Sequence, residues 1–342
     1  MAMTQTLHTA RWWKKIPDGR LECFLCPRRC HLAEGQAGFC FVRENVGGEL
    51  VQMAYGRPVA LAVDPIEKKP LFHFHPGSAV LSLGTAGCNL GCQFCQNYDI
   101  SKERAAQQNA RHLEPRAIVD LAVEHGVPSI AFTYNEPTVW AEYAIDIARA
   151  AHEAGLHTAM VSNGYVTREA FFELYEHIDA VNIDLKGFSE SFYERFTLSH
   201  MHPVLDTLRW LRRETKVWLE ITNLLIPGCN DRPEETRKLC EWISIELGDT
   251  VPLHFSAFHP DYRMLDTDPT PPETVHRARE IALECGLKYV YEGNLLTRDG
   301  GNTHCPACHR TLVRRNWHRV DHVEIVSGCC AHCGQEIPGQ WD

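Results

Sequence analysis

The sequence predicts an α/β protein, a parallel sheet covered by helices, with small cysteine-rich modules at both ends. Three observations carry that expectation. Near-continuous apolar runs alternate with amphipathic stretches about six times between Ser78 and Glu292, the pattern of βα units whose strands are buried on both faces. Twelve of the 15 cysteines fall in three tight clusters. Polar groups stand where the strands run out, in Thr133-Tyr-Asn135-Glu136-Pro, Ser162-Asn163-Gly, Asp184-Leu-Lys186-Gly and Thr222-Asn223. Parallel sheets build active sites at those C-terminal strand ends. The expected division is a cysteine-rich module at 1–60, the α/β body at 61–294 and a second small module at 295–342.

The first core strand reads as Ser78–Leu83, delivering a cysteine loop at its end. A helix opened by Pro115 follows, then strand 129–133, an amphipathic helix from Thr138 to Ala154 stopped by Gly155, and strand 157–162. Thr167 is placed to cap a helix over 168–176. Strands at 180–185, 217–222, 253–257 and 288–292 alternate with helices up to about Arg213, at 233–247 and at 272–285.

The chain of 342 residues carries a formal charge of −10, with 44% hydrophobic and 23% charged residues. That composition is ordinary for a globular protein and argues against a general nucleic-acid binder. The polar segment Met1–Arg20 has no apolar run of a secretory signal, and no stretch of ~18 apolar residues suggests a membrane span. Clustered cysteines without an export signal read as metal ligands in a cytoplasmic protein.

In Gly84-Thr-Ala-Gly-Cys88-Asn-Leu-Gly-Cys92-Gln-Phe-Cys95-Gln-Asn97, three thiolates lie within eight residues and no fourth ligand is nearby. Such a set suits three irons of a cubane cluster and leaves one open for chemistry, whereas a zinc knuckle would need a fourth ligand. Upstream, Cys23, Cys26, Cys30 and Cys40 suffice for zinc or for an auxiliary iron–sulfur cluster. Downstream, Cys305-x2-Cys308 and Cys330-x2-Cys333 have the spacing of a zinc ribbon, suited to structural zinc or to an iron–sulfur site such as rubredoxin-like iron, with Cys329 spare. The basic run Arg310–His322 reads as a solvated ribbon face. His73 and His75 share one side of an extended segment, where structural roles suit them better than a ligand pair. Cys240 and Cys285 read as small core residues. Cys229 lies in a turn with nothing near it in sequence to activate the thiol.

The C-x3-C-x2-C loop with Phe94 before its last cysteine resembles the signature of the radical S-adenosylmethionine (SAM) superfamily, and the likeness covers about Ser78 to Glu292. Longer phrases narrow the resemblance. Asp64-Pro-Ile-Glu-Lys-Lys-Pro, Phe132-Thr-Tyr-Asn-Glu-Pro-Thr, Asp184-Leu-Lys-Gly, Ile226-Pro-Gly-Cys-Asn-Asp and the N-terminal Cys-x2-Cys-Pro-x2-Cys are similar to the radical SAM member of the AmmeMemoRadiSam system, a relative of the pyruvate formate-lyase activating enzymes. This closer likeness runs from Cys23 to Trp341.

The resemblance implies a partial (βα)6 barrel of TIM type. It implies a [4Fe-4S] cluster on Cys88, Cys92 and Cys95, with SAM bound to the fourth iron. One electron then cleaves SAM to methionine and a 5′-deoxyadenosyl radical, which abstracts hydrogen from a small-molecule or partner-presented substrate. It also implies an electron donor such as flavodoxin or ferredoxin, and Memo-like protein partners. Carried over residue by residue, Glu136 matches the acidic end of the family's Gly-Gly-Glu motif, which contacts the SAM amino group. Tyr134-Asn135 stands where the two glycines usually lie, so Asn135 is a departure at a cofactor-binding position. Ser162 and Asn163 match the position near the SAM carboxylate and ribose. Asp184 and Lys186 match an Asp-Leu-Lys whose lysine pairs with the carboxylate, and His259 faces the ribose or adenine. A glycyl-radical activase and a non-catalytic, metal-stabilised binding module are the competing readings.

Overall fold

The computed structural model describes residues 7–104 and 110–341. Its chain divides into two compact units, the first from 1–63, 81–91 and 97–178, the second from 64–80, 92–96 and 179–342.

The first unit opens with an antiparallel sheet of β1 (Trp13–Lys15), β2 (Leu21–Cys23) and β3 (Cys30–Leu32), in which Cys23 stands opposite Cys30. A hairpin of β4 (Arg43–Val46) and β5 (Glu49–Gln52) follows. Its turn is Gly47-Gly48 at φ 64° and 78°, left-handed values that a two-residue hairpin turn requires and glycine adopts freely. The Glu34 carboxylate accepts hydrogen bonds from both glycine N–H groups, at 2.8 and 3.1 Å. Strands of three or four residues are too short to show a period of two, so none of the five is visible in the sequence.

Strands β6 (Ala60–Pro65) and β7 (Ala79–Gly84) have residues in both units. In the first unit β8 (Ser129–Phe132) and β9 (His157–Ser162) run parallel, with Ile130 opposite Thr158 and Phe132 opposite Met160. Helices α1 (Pro115–Glu124), α2 (Ala141–Glu153) and α3 (Arg168–Tyr175) accompany them. Pro115 takes the first helical position, where its missing N–H costs nothing. The helix expected from Thr138 begins instead as a 3-10 turn, Pro137–Trp140, capped by the Glu136 carboxylate, which accepts from the Thr138 N–H at 3.0 Å. Thr167 does sit at the start of α3, but its hydroxyl is not the cap. It donates to the Phe24 carbonyl at 2.7 Å and ties α3 to the N-terminal segment. A buried ion pair makes a second tie, with both Arg43 Nη atoms 2.9 Å from the Glu142 carboxylate on α2.

In the second unit β10 (Ala180–Asp184), β11 (Trp218–Leu225), β12 (Leu253–Ala257) and β13 (Val290–Gly293) lie in chain order and pair parallel. Helices α4 (His202–Glu214), α5 (Pro233–Glu246) and α6 (Pro272–Glu284) complete their βα units. The central sheet is thus mostly parallel, and its strands from β7 onward are buried along nearly their whole length, which is why they read as continuous apolar runs, whereas β6 is largely exposed. Glu220 is a charged residue buried in mid-strand. Its carboxylate accepts from the backbone N–H groups of Phe72 and His73 and from Trp218 Nε1, and is bonded to His254 Nε2, at 2.6–3.0 Å.

The segment 71–77 forms bends and turns, in keeping with its prolines and its alternating aromatic and histidine residues. His73 is buried, with Nδ1 2.6 Å from the Pro338 carbonyl and Nε2 2.6 Å from the Tyr291 hydroxyl, so its role is structural. Around it the charges of Asp64-Pro-Ile-Glu-Lys-Lys are spent on ion pairs, Asp64 with Lys68 and Lys69 and Glu67 with Arg315. The tail adds β14 (Thr303–His304), β15 (Thr311–Asn316) and β16 (Arg319–Val323) in one antiparallel sheet. The pair β17 (Ile325–Val326) and β18 (Cys329–Cys330) forms a second. Leu312, Ile337, Cys305 and Cys330 pack there with Phe72, Tyr289 and Tyr291. No described helix is long and apolar enough to cross a membrane.

Candidate metal centres and cofactor site

In the first unit the chain approaching Cys88 is held by Asn135. Its Oδ1 accepts from Thr85 N and Trp140 Nε1, both at 3.1 Å, while its Nδ2 donates to Gly87 O at 2.7 Å and Thr85 Oγ1 at 3.3 Å. All four hydrogen-bonding positions of the carboxamide are therefore used within the protein, and the Asn135 side chain braces the loop. Gly87 has φ 93°, and a Cβ there would lie 2.5 Å from the Cys40 carbonyl, so only glycine fits. Tyr134, at φ 69°, keeps a left-handed, glycine-like backbone.

Glu136 is buried. Its Oε1 accepts from Thr138 N, Thr138 Oγ1 and Ser162 Oγ, and its Oε2 from Asn163 N at 2.8 Å. Burial pushes this carboxyl above its ordinary value, against the pull of those hydrogen bonds. Oε2 retains room for another donor. Asn163 Nδ2 donates to Asn89 Oδ1 at 2.9 Å and lies 3.9 Å from Cys88 Sγ, while Asn89 Nδ2 donates to the Tyr165 carbonyl at 2.8 Å. Asn163 thus reaches a cysteine sulfur, and Asn89, which sequence reasoning missed, completes the bridge. Its position between Cys88 and Cys92 was the available signal.

In the second unit Cys92 and Cys95 flank Gln93-Phe94. Gln93 N donates to Phe196 O at 2.9 Å, and Gln93 O accepts from Arg263 N at 3.0 Å. Phe94 is buried with its ring centroid 6.0 Å from that of Phe192. Lys186 Nζ lies 3.0 Å from Asp184 Oδ2 and 5.9 Å from the Phe94 centroid. Burial opposes its charge, but Asp184 and the neighbouring Cys92 outweigh that and raise its pKa. Asp184 engages one of three Nζ hydrogens, so Lys186 has donors to offer an anion. Gly187 is obligatory, since a Cβ would lie 2.6 Å from the Phe192 ring. The Ile226-Pro-Gly-Cys-Asn-Asp turn closes on Asn230, whose Nδ2 donates to Lys186 O and Leu224 O at 2.8 Å and whose Oδ1 accepts from Ile226 N at 2.7 Å. Cys229 is a passive member of that turn, its thiol pushed up by burial. Cys240 is buried on α5 as expected. His259 is exposed just beyond β12.

The outer cysteine sets differ in geometry. The sulfurs of Cys305, Cys308, Cys330 and Cys333 all lie within 4.8 Å of one another, with Cys305–Cys333 at 3.5 Å and Cys308–Cys330 at 3.7 Å. A tetrahedral zinc with ~2.3 Å bonds needs sulfurs about 3.8 Å apart. Cys23, Cys26, Cys30 and Cys40 instead line one cavity together with Arg43 and Asn89. Burial pushes the Cys26 and Cys40 thiols up, Cys40 to about 12.

Comparison with known proteins fits this arrangement. The model of the radical SAM superfamily matches residues 82–240. MJ0808 of Methanocaldococcus jannaschii is 40% identical over 333 residues, 97% of this chain and 99% of that protein. The chain belongs to the radical SAM superfamily. The pyruvate formate-lyase 1-activating enzyme of Escherichia coli K12 is 25% identical over 60% of this chain and 89% of its own length. The crystal structure of Streptococcus suis SuiB bound to precursor peptide SuiA shares the fold at TM-score 0.50 and 15% identity, covering 67% of this chain and 51% of SuiB. Membership makes the protein an enzyme and implies a [4Fe-4S] cluster and SAM. The residues present fit both groups, with thiolates spaced for three irons, the Lys186 ammonium for a carboxylate and Glu136 Oε2 for an ammonium.

Proposed function

We propose that this radical SAM enzyme holds its catalytic cluster on Cys88, Cys92 and Cys95 and generates a substrate radical. The observation that carries the reading is the support built around the loop in each unit, Asn135 and Asn163 on the Cys88 side and Lys186 beside Cys92. When bound, the cluster supplies one electron for cleavage of SAM to methionine and a 5′-deoxyadenosyl radical, which takes hydrogen from the substrate. In this reading Lys186 pairs with the SAM carboxylate, and Asp184 keeps that lysine charged and oriented. Glu136 offers Oε2 to the SAM ammonium, while Ser162 and Asn163 fix the carboxylate that does so. Asn135 acts through the loop, and His259 borders the nucleoside. The four C-terminal cysteines hold structural zinc. A flavodoxin- or ferredoxin-class protein supplies the electron, and the AmmeMemoRadiSam likeness points to a Memo-like partner.

The test is anaerobic incubation of the reduced enzyme with SAM, followed by quantification of 5′-deoxyadenosine. Cys92→Ala should abolish product. Lys186→Met should raise KM for SAM about tenfold or more, the loss of a charged hydrogen bond worth roughly 1.5–3 kcal/mol. Undiminished cleavage by Cys92→Ala would overturn the reading. The similarity to the E. coli activating enzyme supports a second reading, activation of a glycyl-radical enzyme. A glycyl EPR doublet on a candidate partner would establish it.

A further inference from the structure

We propose that Cys23, Cys26, Cys30 and Cys40 hold a second [4Fe-4S] cluster rather than zinc. All four line a single cavity, and they reach it from three places, the facing strands β2 and β3, the turn between them and the segment before β4. Among the described residues, the cysteine set whose sulfurs all lie within 4.8 Å of one another is the C-terminal one. The N-terminal four are spread around a space. One zinc draws its four sulfurs together around a single ion, as the ribbon cysteines already are. A cubane carries its ligands on separate iron corners, so the thiolates stand farther apart and enclose a volume.

Arg43 supplies an independent observation. It is 1% exposed and lines the same cavity, yet among the described residues its Nε has no hydrogen-bond partner, although both Nη atoms are bonded to Glu142. A buried donor left unpaired is costly to the fold. Sulfide and thiolate sulfur of an anionic cluster would satisfy it, and hydrogen bonds to cluster sulfur tune reduction potential.

The position also suggests a use. Asn89 lines this cavity and is the next residue after Cys88, and Cys40 O lies against Gly87. One electron taken from a reduced flavodoxin- or ferredoxin-class protein can leave again toward Cys88, so the site ends each transfer in its starting state. This relay role rests on the reading of Cys88, Cys92 and Cys95 given above, whereas the cluster assignment does not.

The deciding experiment removes the other cluster. The variant Cys88→Ala/Cys92→Ala/Cys95→Ala, reconstituted anaerobically with iron and sulfide, should retain about four irons and four sulfides and show a reduced-cluster EPR signal. Adding Cys26→Ala and Cys30→Ala should abolish them. If the triple variant does not fold, wild type should carry about eight irons and Cys26→Ala/Cys30→Ala about four. A folded triple variant with two zincs and no sulfide, or with an empty N-terminal site, overturns the proposal. Four irons in the triple variant together with no SAM cleavage by wild type would leave this site standing and overturn the functional reading instead.

Discussion

At Asn135 one side chain meets four partners, and three of them belong to the approach to Cys88. Asn135→Ala leaves Thr85 N, Gly87 O and Trp140 Nε1 without partners and should cost about 2–3 kcal/mol at ~1 kcal/mol each. Because the loop loses its brace, iron retained after gel filtration should fall with it. Full iron and unchanged melting would show that the loop holds itself. That a polar residue ends β8 was legible in the sequence, and so was its closeness to a cofactor loop. Which way the carboxamide turns was not, because its partners in the loop lie 48–50 residues away. Tyr134 teaches the same lesson from the backbone. The left-handed turn usual for glycine persists beneath an aromatic side chain, and no local pattern announces φ > 0 at tyrosine.

Among the elements, strands buried on both faces and helices bounded by proline and glycine were readable to within a few residues, since each carries its own signal. Prolines signalled turns around 71–77 but not what holds them. Their order comes from a chain of hydrogen bonds set by distant residues. Arg315 donates to Thr303 Oγ1, and Tyr291 Oη lies 2.9 Å from that oxygen and 2.6 Å from His73 Nε2. The Pro338 carbonyl can only accept, so His73 Nδ1 carries the proton and Nε2 accepts from Tyr291. Burial lowers the His73 pKa to about 4, with Glu220 opposing. A depressed folded-state pKa means that the unfolded chain binds the proton more tightly. This contribution to stability is thus fully present above pH ~6.5 and is lost as pH falls toward about 4. Denaturant titrations should show wild type losing up to about 3 kcal/mol more than His73→Gln across that interval. Equal losses would place the protonation elsewhere.

For the whole molecule, the C-terminal cysteines do more than close a ribbon. Cys305 and Cys330 are part of the core that covers Phe72, Tyr289 and Tyr291. Chelating the zinc proposed there should therefore lower the melting temperature of the chain and open 295–342 to protease. A metal-free protein with unchanged melting would show that packing alone suffices.

The interleaved partition also matters while the protein is being made. Every segment of the first unit has been synthesised by residue 178, whereas 64–80 belongs with 179–342. Leu71, Phe72 and Phe74 are buried in the finished fold, and their surroundings include Glu220, Tyr291 and the tail. At roughly 5–20 residues per second, translation takes on the order of 10–50 s to supply them. Through that interval an apolar segment is without its partners, the condition under which nascent chains are prone to aggregate.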